Sequence, residues 1–157
     1  MPFTVRISDP RLKFSASHFL YQHDKCSRLH GHNYSVSVEL TGELDENFFV
    51  IDFYHIKSKL QEIISKLDHA VLLPAKSENI QIIELKTPTN DSDEIDVRFN
   101  GKHYVFPKID TRLLPISATT AELLAEYVYM QLKKNFENYK LRVEIAESEG
   151  SIAIYMN

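Results

Sequence analysis

The stretch HNYSVSVEL, residues 32–40, alternates strictly: Tyr34, Val36, Val38 and Leu40 share one parity, and Asn33, Ser35, Ser37 and Glu39 the other. A period of two, with β-branched and aromatic residues on one side, predicts a strand with one buried and one wet face. If that strand begins early enough, His30 and His32 continue its apolar side.

Working outward, Phe3, Val5 and Ile7 alternate with Thr4, Arg6 and Ser8, and after Pro10 a second alternation places Phe14, Ala16 and His18 together. Asp52 is an N-cap for a helix reaching about Leu67, with Ile56, Leu60, Ile63, Ile64 and Leu67 as its buried stripe. A second helix is predicted from near Thr120 to about Phe136, facing inward with Leu124, Tyr127, Val128 and Leu132. Two strands follow, Leu141 to Glu147 and Ser151 to Met156, joined by a tight turn at Glu149-Gly150.

Between the helices lies a section from about Pro74 to Pro115. It contains a hairpin, EIDVRF and KHYVF, turning on Asn100-Gly101, a strong type I′ signal, while residues 84–94 read as an exposed loop. The order is strands, helix, inserted hairpin, helix, strands. An antiparallel sheet with helices on one face is its simplest arrangement, an α+β fold.

A chain of 157 residues with 43% hydrophobic and 25% charged residues is expected to form a single domain, 1–157, with an ordinary core. The net charge of −4 argues against a nucleic-acid or anionic-membrane binder. A lone cysteine makes no internal disulfide, which points to a reducing compartment. MPFTVRISDPRLKF has charges and prolines where a signal peptide needs an apolar core, and no apolar run reaches membrane-spanning length. The expectation is a cytoplasmic protein.

Three histidines carry the chemistry. His30 and His32 are two apart in a strand, so their rings point the same way, and His18 sits on the matching face of the preceding strand. Three imidazoles from two neighbouring strands can converge on one Zn²⁺ and leave a fourth position open, as catalytic zinc sites do. The bland alternative is three half-buried histidines. Cys26 then admits three readings: a fourth ligand, a thiolate base or nucleophile favoured by His23, Lys25 and Arg28, or a loop residue without a role. Asp68-His69 suits an oriented imidazole, or simply a polar helix end. Glu147 shares the parity of Leu141, Val143 and Ile145, so it continues an apolar face and needs a donor, from a basic residue or a ligand. Glu122 reads as a first-turn acid.

FSASH at 14–18, CSRLHGHNY at 26–34, VIDF at 50–53, LDHAVLL at 67–73, TTAELLAEY at 119–127 and VEIAES at 143–148 together resemble the 6-pyruvoyltetrahydropterin synthase and 6-carboxytetrahydropterin synthase family. The resemblance spans most of the chain. It implies the tunnelling fold: a four-stranded antiparallel sheet with two helices on one face, here with an inserted section at about 75–116. It also implies a homohexamer, a dimer of trimers with active sites between subunits, and a zinc lyase acting on 7,8-dihydroneopterin triphosphate. By motif, His18, His30 and His32 correspond to the zinc ligands, Cys26 to the catalytic base, and Asp68 and His69 to a proton relay. Glu147 corresponds to the pterin anchor, with Thr119 and Thr120 around the same ring. Lys25 and Arg28 could meet the phosphates.

Three residues separate Cys26 from His30, a spacing similar to the 6-carboxytetrahydropterin synthases of the 7-deazaguanine (queuosine and archaeosine) pathway. The expected products are therefore 6-carboxy-5,6,7,8-tetrahydropterin, acetaldehyde and triphosphate. The alternatives are a 6-pyruvoyltetrahydropterin synthase, of tetrahydrobiopterin or folate type, and a non-catalytic pterin- or metal-binding module. Cys26 stands where the folate-type variants tend to carry glutamate. Thr119 departs from the proline usual in the bacterial carboxy-type enzymes, and the middle section is longer than in compact members.

Overall fold

The computed structural model describes residues 1–88 and 93–157. In chain order these form β1 (Phe3–Ile7), β2 (Lys13–His18), β3 (His30–Gly42), α1 (Phe53–Ser65), β4 (Ala70–Pro74), β5 (Gln81–Leu85), β6 (Glu94–Phe99), β7 (Lys102–Pro107), a 3-10 turn (Lys108–Asp110), β8 (Thr111–Leu114), α2 (Ala121–Lys133), β9 (Lys140–Ser148) and β10 (Ser151–Met156). They divide into two compact units built from separated segments. Met1–Phe14, Asn33–Asp68 and Ala121–Asn157 make the first, and Ser15–His32 and His69–Thr120 the second.

In the first unit β3 is the spine. β1 pairs with it antiparallel, Val5 opposite Leu40, and β9 pairs antiparallel as well, with Val36 opposite Ile145 and Val38 opposite Val143. The expected alternation holds: Tyr34, Val36, Val38 and Leu40 are buried, as are Leu141, Val143 and Ile145. α2 packs on β9 and β10 and against α1. α1 begins where expected, with the Asp52 carboxylate accepting from the Tyr54 N–H at 2.8 Å. It ends at Ser65, and Leu67 stays buried in the turn beyond.

On α2 the buried stripe is Leu124, Ala125, Val128, Tyr129 and Leu132. Tyr127, expected to face inward, is only half-buried, because at 100° per residue it lies beyond the edge of that stripe and Tyr129 within it. Burying a side chain the size of Leu124 or Leu132 contributes about 1.5–3 kcal/mol, so the stripe rather than helix propensity holds α2 in place.

The second unit contains strand pairings beyond the expected four-stranded antiparallel sheet. Beside the first residues of β3 lie β2, then β4, then β8, and the last two contacts are parallel, with Ala16 opposite Ala70 and Leu73 opposite Leu113. β4 reads AVLLP with four of its five residues buried, so it shows no alternation to betray it. The inserted section is also more than a hairpin: β5, β6 and β7 form a separate antiparallel sheet. The expected turn is present, with Asn100 at φ 48° and Gly101 at φ 73°, the left-handed pair a type I′ turn requires. β5 runs to Leu85 and β6 starts at Glu94, so the ends of the stretch expected as a loop are strand. Residues 89–92 of that stretch lie outside the described residues. Among the described residues, no helix is long and apolar enough to cross a membrane.

Candidate metal centre and catalytic loop

His18 closes β2 and is 1% exposed, on the same face as buried Phe14 and Ala16. His30 and His32 open β3 and flank Gly31. A Cβ at Gly31 would lie 2.8 Å from the Ala16 carbonyl oxygen, so the glycine lets this end of β3 approach β2 closely. The three rings are thereby gathered, with centroids 4.6 Å apart for His18–His30, 5.2 Å for His18–His32 and 5.0 Å for His30–His32. One ligand nitrogen from each lies within 4.8 Å of the others.

Two of the rings have their tautomer set by the backbone. His18 Nδ1 lies 2.8 Å from the Thr119 carbonyl oxygen and His30 Nδ1 2.7 Å from that of Arg28. A carbonyl can only accept, so each Nδ1 carries the proton and each Nε2 keeps its lone pair for a ligand. The Nε2 of His32 is itself fully buried. Burial, aided by the neighbouring His30 and His32, pulls the His18 pKa down to about 4, so this imidazole is neutral near pH 7. Neutral, oriented imidazoles are what a divalent borderline ion such as Zn²⁺ binds, and tetrahedral bonds of about 2.1 Å need nitrogens roughly 3.4 Å apart, compatible with this spread. Among the described residues the grouping is these three histidines, without Cys26.

Cys26 lies on the segment joining β2 to β3 and is half-buried. Its N–H donates to His23 Nδ1 at 3.0 Å, its carbonyl accepts from the Leu20 N–H at 2.8 Å, and the Ser27 N–H donates to the His23 carbonyl at 2.8 Å. Lys25 and Arg28 are exposed on the same segment. Thr119, expected near a ring substrate, is 1% exposed; its carbonyl serves His18 and its hydroxyl donates to the Phe19 carbonyl at 3.3 Å. Thr120 is half-buried.

His69 stands in the turn before β4 at φ 54°, and its N–H donates to the Ser15 carbonyl at 2.7 Å. Since Ala70 is opposite Ala16, the backbone of His69 lies beside Ser15 of β2. Asp68 and Glu147 belong to the first unit. Glu147 is half-buried at the end of the row Leu141, Val143, Ile145. Burial, together with the Glu147 charge, raises the pKa of the Tyr34 hydroxyl. Glu122 is an exposed first-turn acid of α2.

The most buried acid of β9 is not among the expected site residues. Glu144, 7% exposed, projects from the opposite face and pairs with Arg6 at 2.6 Å and Arg142 at 2.9 Å, while Glu39 also meets both arginines. The only signal for it is register, since Ser37 lies opposite Glu144 and Glu39 opposite Arg142.

The 6-pyruvoyl tetrahydropterin synthase family model matches residues 9–157. A Methanocaldococcus jannaschii protein named as a 6-carboxy-5,6,7,8-tetrahydropterin synthase is 36% identical over 144 residues, 88% of this chain and 85% of that protein. A Pyrococcus horikoshii protein of the same name is 32% identical over 146 residues, 90% of this chain and 83% of its own. The solved structure of Plasmodium falciparum 6-pyruvoyl tetrahydropterin synthase superposes with a TM-score of 0.88 at 27% identity, covering 99% of this chain and 98% of that one. The chain thus belongs to the 6-pyruvoyl tetrahydropterin synthase family and is a lyase of the kind that eliminates triphosphate from a pterin substrate.

Proposed function

We propose that this enzyme, with residues 1–157 acting as one pterin synthase domain, converts 7,8-dihydroneopterin triphosphate to 6-carboxy-5,6,7,8-tetrahydropterin with release of acetaldehyde and triphosphate, a zinc-dependent step of 7-deazaguanine synthesis in the cytoplasm. The observation that carries the metal reading is the backbone-oriented cluster of His18, His30 and His32, with Cys26 on the adjoining segment. The spacing of Cys26 and His30 and the names of the archaeal relatives favour the carboxy product.

Zinc held by the three histidines would polarise the side-chain oxygens of the substrate. Glu147 accepts two N–H groups from the 2-amino-pyrimidinone edge, a match of one carboxylate to a paired donor edge. Thr119 and Thr120 stand around the same ring, Thr119 also fixing His18. The Cys26 thiolate moves a proton at the side-chain carbon. Lys25 and Arg28 meet the triphosphate, which departs by elimination, and cleavage between the first two side-chain carbons consumes one water. Asp68 and His69 complete proton transfer from a neighbouring copy of the chain. The assembly is a homohexamer of two trimers.

Purified protein incubated with 7,8-dihydroneopterin triphosphate should release acetaldehyde and triphosphate in equal amounts, with one zinc per chain by metal analysis. Formation of 6-pyruvoyltetrahydropterin without acetaldehyde would establish the alternative product, the one for which the Plasmodium falciparum relative is named. Cys26→Ala should abolish turnover and keep the zinc, whereas His30→Ala should lose the metal. Equal metal loss in both variants would make Cys26 a ligand instead.

A further inference from the structure

The tip of the β6–β7 hairpin touches the Cys26-bearing segment at three points. Phe99, the last residue of β6, stacks on Phe19 with ring centroids 4.6 Å apart, and Tyr104 of β7 stacks on Phe19 at 5.7 Å. Asn100, in the turn, donates from Nδ2 to the Tyr21 carbonyl at 2.9 Å. Lys102, the first residue of β7, hydrogen-bonds through Nζ to the carbonyl of Ser27 and lies 3.1 Å from its hydroxyl. The same ammonium sits 5.3 Å from the centre of the Phe99 ring.

These contacts grip both ends of a segment that otherwise carries its own short-range hydrogen bonds. Phe19 and Tyr21 are at its start, and Ser27 follows Cys26 directly. The hairpin is itself anchored, since Phe19, Leu73, Ile80, Ile95, Val97 and Phe99 form one buried cluster. The turn chemistry matters for the grip. Only the left-handed Asn100-Gly101 pair lets the chain reverse tightly enough to put Asn100 and Lys102 on the same segment. A catalytic group displaced by about 1 Å can lose a hundredfold in rate, so a segment carrying a base needs such a brace.

We infer that the inserted β6–β7 hairpin is a positioning device for Cys26, with Lys102 and Asn100 as its positioning residues. This rests on the reading of Cys26 as the base, but the brace is measurable without turnover. Because Cys26 is the only cysteine, iodoacetamide uptake reports on it alone.

The test compares wild type, Lys102→Met, Asn100→Asp and Lys102→Arg. Asn100→Asp keeps a residue suited to the type I′ turn and removes the donor. Lost charge-assisted and neutral hydrogen bonds should open the segment about tenfold more often, so Cys26 alkylation in Lys102→Met and Asn100→Asp should accelerate about tenfold. Lys102→Arg, which keeps a cation and donors, should stay within about threefold of wild type. With 7,8-dihydroneopterin triphosphate, kcat should fall about tenfold in the first two variants, with KM within about twofold and bound metal unchanged. Alkylation within about twofold of wild type in both variants would overturn the inference, as would a kcat loss that Lys102→Arg does not rescue. A wild type that fails to turn over the pterin triphosphate overturns the proposed reaction instead, and alkylation alone then decides the brace.

Discussion

Gly31→Ala tests the geometry that gathers the histidines. The new Cβ would lie 2.8 Å from the Ala16 carbonyl oxygen and 3.3 Å from Ser17 Oγ. Carbon–oxygen contacts ordinarily begin at about 3.3 Å, so β3 must retreat from β2 by about half an ångström. The serine hydroxyl can rotate away, but the carbonyl cannot, because Ala16 is held on its other side opposite Ala70 of β4. Overpacking of this kind costs about 1–3 kcal/mol. Since Gly31 stands between His30 and His32, the retreat carries both rings away from His18. Metal–ligand distances tolerate only about 0.2 Å, so zinc affinity should drop about 10- to 100-fold. Competition against a chromophoric chelator reads the affinity, and thermal melting with and without zinc reads the stability. Gly150→Ala is the control: a Cβ there meets nothing within 4 Å, so its effect should stay within about 0.5 kcal/mol. A Gly31→Ala protein with wild-type zinc affinity and unchanged melting would refute the close-approach argument.

Metal-stripped protein should lose stability as pH falls. His18 has a pKa of about 4 when folded, below the ordinary 6.5, so between those values the unfolded chain binds a proton that the folded chain resists. Stability is therefore full above about 6.5, declines towards about 4 and then levels, a loss of about 3 kcal/mol in urea titrations; a flat profile over that window would contradict the burial of a neutral His18. Glu144→Ala should destabilise the protein by about 1–3 kcal/mol while leaving zinc affinity unchanged, because it removes the buried carboxylate shared by Arg6 and Arg142 and leaves both to Glu39 alone, on a face away from the core. Glu147→Gln, which removes the charge and one acceptor but keeps the shape, should raise KM for the pterin about 10- to 100-fold with a smaller effect on kcat in steady-state assays.

Much of this molecule is written in local pattern. β3 was legible because one face is buried and the other wet, so its alternation survives in the residues. The same period put His30 and His32 in phase with each other and with His18, and Asp52 and Asn100-Gly101 announced a cap and a turn through their own backbone preferences. The motif text then identified a family without any coordinates.

Other features depend on pairings between residues far apart in the chain, which no local period records. β4 is covered on both faces and β8 joins it in parallel, so neither alternates nor adjoins its partner in sequence. Glu144 became a satisfied buried acid only when register set Arg6 and Arg142 against it. The tautomers of His18 and His30 hang on the Thr119 and Arg28 carbonyls, groups every residue possesses and no sequence distinguishes. The hairpin could be read from Asn100-Gly101, but its grip on the segment of Cys26 could not. A turn signal fixes a local bend, while the surface it lands on is chosen by long-range packing.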